Sequence, residues 1–413
     1  MAEFLHLIPP SEALDHLLQA LPQSSYMETE RIATEEALDR VLASPVTAPY
    51  PLPSFTRSTV DGYAVRAAGT YGASPTLPAY LDLIGEILMG ATADLSVGPN
   101  QAALIHTGGM VPEGADAVVM VEDTQRVRES EIEVLKPAAV GQNILQVGED
   151  VKAGDTVMEA GVWLRPQEIG GLMSLGVTEL SVARRPRVGI LSTGDEVVSP
   201  EAEVGPGQVR DVNSYTLSAL VLRAGGDPIR RGIIHDNFKD LQKAARLAHA
   251  EDDIVIITAG SSVSTRDLTA EVINSLGEPG VIVHGILIKP GKPTILAVAD
   301  GVPMVGLPGN PVSAMVVAGL FVVPIIRKLM GLKESTQTPR IPARMSVNIA
   351  SETGREDYIL VRLVTTEEGL PVAEPIYGRS NLIFTLVRAD GMVRIPPEAT
   401  GLDTGVEVEV ILF

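Results

Sequence analysis

The sequence predicts an α/β domain combined with β-rich parts, and three observations carry that expectation. At 413 residues the chain exceeds what one hydrophobic core ordinarily organises, so roughly two to four domains are expected. From Arg184 onward, runs that read as strands alternate with runs that read as helices, the grammar of a mostly parallel sheet. Before that stretch, and again after a polar linker at 331–339, short alternating strands and turn residues dominate.

Residues 11–21 carry Leu14, Leu17, Leu18 and Leu21 on one helical face, with Ser11 as the expected cap. Residues 34–38 read as a second short helix. Pro45, Pro49, Pro51 and Pro53 forbid regular structure and hold an extended arm that delivers residues 54–66. Strands are expected at 117–121, 131–135 and 155–158, in an antiparallel β module, followed by a helix at 166–173 that Gly176 ends.

The α/β part begins at Arg184, with strands at 188–191, 254–257, 282–288 and 294–298 and helices at 214–224, 238–249 and 267–276. The strand at 254 is apolar throughout, as a strand covered on both faces should be. Asp300 and Gly301 read as a tight hairpin at one edge of the sheet, and Pro311 starts an apolar helix. The tail carries strands at 343–350, 358–364, 391–395 and 406–412.

Composition excludes several functions. Acidic residues outnumber basic ones 52 to 32, a net charge of -20, which argues against a nucleic-acid or anionic-membrane surface and makes each clustered Lys or Arg informative. With no cysteine, thiolate chemistry and disulfides are excluded. The six histidines form no paired zinc motif. The N-terminus lacks the basic start of a signal peptide, and the apolar run at 312–326 is short for a membrane span and contains Pro324. A cytoplasmic location is the default expectation.

Four loops should emerge at the carboxyl ends of the parallel strands and surround one crevice: 192–196, 258–267, 289–293 and 307–311. The small-residue loop after the strand at 254 leads into a helix start, which presents backbone N–H groups to an anion. Asp195, Glu196 and Asp267 would supply hard oxygen ligands suited to magnesium. Lys289 and Lys292, braced by Pro290 and Pro293, would present two ammonium groups to a phosphate or oxyanion, although the same pair also fits a solvated turn. Residues 307–311 fit either a plain helix start or a row of backbone donors, and Asp61 fits either an Asx turn or a catalytic carboxylate.

Six stretches give these loops a common meaning: 58–66 (STVDGYAVR), 105–119 (IHTGGMVPEGADAVV), 148–150 (GED), 192–196 (STGDE), 289–293 (KPGKP) and 307–313 (LPGNPVS). In order and spacing they resemble the molybdopterin molybdenumtransferases, the molybdenum insertases that include the E domain of gephyrin.

That resemblance implies an elongated four-domain subunit in a homodimer, with the active crevice between the molybdopterin-binding α/β domain of one subunit and the β-rich arm of the other. The implied parts are an N-terminal helix at 1–26 packed on the α/β domain, a base at 27–47 and 148–183, an arm at 48–147, the α/β domain at 184–330 and a β-barrel-like domain at 340–413. The implied reaction joins molybdate to adenylylated molybdopterin, releasing AMP and molybdenum cofactor with Mg2+ present. It implies functional roles for Asp61 and Asp267, expected here to be catalytic, while the metal ligands expected from the loops are Asp195, Glu196 and Asp267. Substrate binding falls to Thr107, Asp150, Glu196, Ser261, Ser264, Lys289, Lys292, Pro308 and Pro311, and molybdate binding to Lys289, Lys292, Arg355 and Ser380. The upstream adenylyltransferase and acceptor molybdoenzymes are the implied protein partners.

Two departures stand out. The loop at 258–264 carries extra hydroxyls, which leaves a tungstate-selective relative open, and His106 occupies a position that is usually apolar in the family. Two other readings of the same fold are the adenylyltransferase step and a non-catalytic scaffold that binds protein segments.

Overall fold

The computed structural model describes residues 7–22, 27–259, 263–333, 339–367 and 369–413, and of residues 263–266 the backbone alone. The chain divides into two compact units: residues 44–160 with 167–178, and the remainder.

The first of these units is built on a six-stranded sheet in which Gly62–Val65 lies between Gln101–Ile105 and Ala117–Met120. Most pairings are antiparallel as expected, but Ala79–Ile87 runs parallel to Gln101–Ile105, so the sheet is mixed. The thirteen residues connecting those two strands are long enough to return the chain to the same end, which an antiparallel reading of consecutive strands does not anticipate. The proline-rich arm is not wholly irregular: Val46–Thr47 pairs with Thr156–Met158.

The other unit holds a second six-stranded sheet. Arg187–Thr193, Ile254–Ala259 and Val302–Pro308 run parallel, with Asp227–Ile234 as a parallel edge strand. That edge strand is absent from the sequence expectations because two arginines and a glycine interrupt its apolar pattern. The hairpin at Asp300 and Gly301 forms as expected, both residues having positive φ. It is not at the edge, however, since Pro279–His284 pairs outside Ile295–Ala299. The predicted strand at 282–288 breaks at Gly285, and its end, Ile288–Lys289, joins a different sheet.

The apolar helix Pro311–Leu329 is long and apolar enough to cross a membrane by composition. Phe321, Val322, Ile325 and Ile326 instead make it the centre of the largest core. The N-terminal helix Pro10–Ala20 lays Ala13, Leu17 and Leu21 into that same core. Its start differs from expectation: Pro9 holds the cap position and Pro10 opens the helix, so Ser11 makes no cap bond. Residues 34–36 form a single 3-10 turn rather than a helix.

The tail closes on itself. Glu356–Val364, Val372–Pro375, Arg340–Met345, Glu407–Leu412 and Gly391–Ile395 pair in a ring, because Gly391–Ile395 also bonds back to Glu356–Val364. The result is the barrel-like domain expected there. Ile288–Lys289 adds to the ring as a parallel strand beside Glu356 and Asp357.

Candidate functional site

The strand senses decide where the loops emerge. Pro279–His284 is antiparallel to Ile295–Ala299, which is antiparallel to Val302–Pro308, so it points the same way as the parallel strands. The segments following Thr193, Ala259, His284 and Pro308 therefore leave the sheet at one end, the end where open α/β sheets bind ligands.

A cavity of about 1180 Å³ opens there, where the loop 286–293 and the start of helix Pro311–Leu329 meet the barrel-like domain. Lys289, Lys292, Arg355 and Arg379 line it, with Glu352 the one carboxylate among the lining residues. The stiff loop is held by its glycine. Gly291 has φ +116, and a Cβ there would lie 2.4 Å from Val317 Cγ2 on the buried helix face. Only glycine lets that loop lie so close.

Pro308 and Asn310 bring the helix start to the cavity, and Asn310 at the cap makes no side-chain cap bond. Its Nδ2 instead donates to Ser380 Oγ at 3.1 Å, while the Val312 N–H donates to the Ser380 carbonyl. Of the residues expected to hold an oxyanion, Lys289, Lys292, Arg355 and Ser380 are thus gathered in one place, with Pro308 beside them and Pro311 at the first turn. A dianion would meet ammonium, guanidinium and hydroxyl donors together with the positive end of a helix.

The carboxylates of this unit are arranged differently. Asp195 and Glu196 are exposed after Arg187–Thr193, and Asp195 accepts from His235 Nδ1 at 3.0 Å. That contact holds the Asp195 carboxyl below the usual range. Asp236 lies beside them, its Oδ1 shut away from water without a hydrogen-bond partner. Burial pushes its carboxyl up, and the charges of Glu196 and Asp195 push it further. Asp236 is missing from the sequence expectations because it follows Asp227–Ile234, a strand whose apolar pattern is interrupted.

Asp267 is exposed, but it does not open its helix: the element spans Val263–Asn274, which puts Asp267 in the second turn. The helix thus begins within the stretch 258–267 expected as loop, with Ser264 and Thr265 in its first turn. Ser261 lies outside the described residues, and of Ser264 only the backbone, inside that helix, is described. Among the described residues no three His, Asp or Glu side chains are grouped closely enough to hold a metal ion by themselves.

The other unit assembles its own group. The register pairs Gly62 with Ile105, so Asp61 and Thr107 sit on neighbouring strand ends. Asp61 Oδ1 accepts from the Thr107 N–H at 2.8 Å and from its hydroxyl at 3.2 Å. Those two bonds hold the Asp61 carboxyl below its usual value. Gly62 is obligatory, because a Cβ would meet the Val119 carbonyl oxygen at 1.9 Å. His106 bridges outward, with Nε2 2.9 Å from Glu86 Oε1 and Nδ1 3.7 Å from Asp61 Oδ1. Asp150 is exposed on the turn after Gly148, where its N–H donates to the Leu52 carbonyl.

Comparison with known proteins covers nearly the whole chain. Family profiles described as MoeA N-terminal region (domain I and II), probable molybdopterin binding domain, and MoeA C-terminal region (domain IV) match residues 8–176, 189–328 and 342–413. A molybdopterin molybdenumtransferase of Haemophilus influenzae is 33% identical over 97% of this chain and 98% of its own length. One of Bacillus subtilis is 32% identical over 98% and 94%. The crystal structure of a molybdopterin biosynthesis moeA protein from Pyrococcus horikoshii OT3 superposes with a TM-score of 0.85 at 32% identity, covering 98% of this chain and 100% of that one.

Proposed function

Given that the chain belongs to the MoeA family of molybdopterin molybdenumtransferases, we propose that it transfers molybdate to adenylylated molybdopterin, releasing AMP and molybdenum cofactor. A transferase role in molybdenum cofactor biosynthesis is what the family establishes; the adenylylated substrate and the AMP step are the proposal. The cavity carries it: four cationic side chains and a helix start converge in a protein whose net charge is -20. Such a concentration of positive charge, against the field of the whole chain, suits a tetrahedral dianion beside a phosphoanhydride.

In this reading Lys289, Lys292, Arg355 and Ser380 hold molybdate, while Pro308 and the helix start at Pro311 line the place of the substrate phosphate. Glu196, with Ser261 and Ser264, contacts the pterin substrate, and Thr107 and Asp150 are proposed as further substrate-binding residues. Hydrolysis of the phosphoanhydride consumes one water and leaves AMP and the pterin phosphate. Asp267 orients that water and accepts its proton, and Asp61 is proposed as a second catalytic carboxylate.

The oxygen donors near Asp195 fit a divalent cation. Asp236 Oδ1 is an orphaned acceptor beside Asp195 and Glu196, and Mg2+ commonly takes only one or two carboxylates plus substrate phosphates. Glu196 and Asp236 would hold it, with Asp195 and Asp267 proposed as further carboxylates for it. When bound, such an ion neutralises charge on the phosphoanhydride. We also propose a cytoplasmic homodimer, which light scattering of the purified protein would test.

Measurement of AMP and cofactor formation from adenylylated molybdopterin, with molybdate, with tungstate and with neither, decides the reading. Molybdate-dependent AMP release is expected. Equal turnover with tungstate would reassign the oxyanion, and no turnover with either would leave a scaffold.

A further inference from the structure

We propose that Asp357 is the positioning residue of the oxyanion cradle: it holds Lys289 and Arg355 at a fixed spacing so that both can receive one dianion. The inference rests on the assignment of molybdate to this cavity made above.

Asp357 sits where three strands meet. Its backbone lies between Lys289 on one side and Ile395 on the other, so the sheet fixes where the carboxylate stands. The side chain is only 1% exposed, whereas Lys289 is 59% and Arg355 28% exposed. Its two oxygens divide the work. Oδ1 accepts from Arg355 Nε at 2.9 Å, and Oδ2 faces Lys289 Nζ at 3.6 Å with no hydrogen-bond partner.

A buried carboxylate in that condition is costly, because one oxygen has lost water and gained only a long ionic contact. The one good hydrogen bond roughly offsets that cost, so stability gives no reason for an aspartate here. Geometry does. Lys and Arg side chains carry much rotational entropy, and two such chains left free would both have to be ordered when an anion binds. Asp357 orders them beforehand. By taking Arg355 through Nε it leaves the guanidinium's terminal nitrogens for other acceptors, one of which, Nη1, already meets Glu352 at 2.9 Å. The long contact to Lys289 leaves that ammonium's donors uncommitted.

A carboxylate beside an anion site also repels the anion, and the two effects oppose each other. If repulsion dominated, removing the charge would tighten molybdate binding. If positioning dominates, removing it weakens binding although a negative charge has gone.

Molybdate binding to the purified full-length protein by isothermal titration calorimetry separates them. Asp357→Asn, isosteric and uncharged, is expected to raise the molybdate Kd at least about tenfold. The Kd for the pterin substrate and the thermal unfolding profile should stay unchanged. In an Arg355→Gln background the same change should add little, since the group it positions is gone. Should D357N not fold, Asp357→Glu takes its place: it keeps the charge but displaces it by one methylene, and weaker molybdate binding is again expected.

Unchanged or tighter molybdate binding in D357N, with R355Q weakened, overturns the positioning role and leaves the cradle standing. Equal molybdate binding in wild type, K289A, R355Q and D357N overturns the cradle, and the role with it. Full additivity of D357N and R355Q also overturns the positioning role.

Discussion

Substituting Gly291 by alanine perturbs the cradle without removing any group that touches a ligand. The added Cβ would fall 2.4 Å from Val317 Cγ2, where ordinary contact begins at 3.4 Å, so loop and helix must separate by about 1 Å. Val317 is fully buried and lies on the central helix, so the loop is the part that yields. Alanine must also hold φ near +116, which costs on the order of 1–3 kcal/mol, and overpacking adds about as much again if the loop stays in place. Relaxation therefore carries Lys289 and Lys292 outward by roughly 1 Å, a misplacement of a size that costs up to about a hundredfold in preorganised sites. Calorimetry with molybdate should show a Kd raised by about tenfold to a hundredfold in Gly291→Ala, with thermal unfolding lowered by several degrees. A Kd and an unfolding profile both indistinguishable from wild type would refute the claim that this contact sets the lysines.

Lys289→Ala removes one charge-assisted contact, nominally about 1.5–3 kcal/mol. Its exposure and its pairing with Asp357 place the loss near the lower end, about a tenfold weaker molybdate Kd that shrinks further at high salt. Asp267→Asn should leave molybdate affinity nearly intact and stop AMP release; unchanged release refutes the role. Thr107→Ala deletes the hydroxyl that donates to Asp61, while the stronger backbone N–H bond remains. The Asp61 carboxyl is depressed in the folded protein, so its stabilising contribution is full above the unfolded value near 3.8 and is lost as pH falls through the lower folded one. Thr107→Ala moves that folded midpoint upward toward 3.8, readable by NMR titration of the Asp61 carboxyl; an unmoved midpoint refutes the hydroxyl's contribution.

Local physics explains which elements were legible. The strand Ile254–Ala259, the hairpin at Asp300 and the helix opened by Pro311 each carry a signal inside a few residues: an unbroken apolar run, a positive-φ pair, a proline at a first turn. Where the signal was mixed, the reading failed. Asp227–Ile234 forms a strand despite Arg230 and Arg231 because its neighbour Arg187–Thr193 offers a complete ladder, and Arg231 finds buried Asp252 at 2.6 Å. The parallel pairing of Ala79–Ile87 likewise depends on a partner, not on its own pattern.

The chemistry divides along the same line. Residue types were enough to nominate Lys289 and Lys292, since charge and a stiff proline loop are properties of the chain itself, whereas Asp61, Arg355 and Ser380 gained their roles from the family resemblance. What the chain alone leaves open is which of those groups share a volume. Lys289 stands beside Asp357 because strands about seventy residues apart pair in one register, and Ser380 reaches Asn310 where a turn of the barrel-like domain meets the helix start. Burial is a property of the folded whole. Asp357 and Asp236 gained their significance only when packing removed their water, and no spacing rule registers that loss.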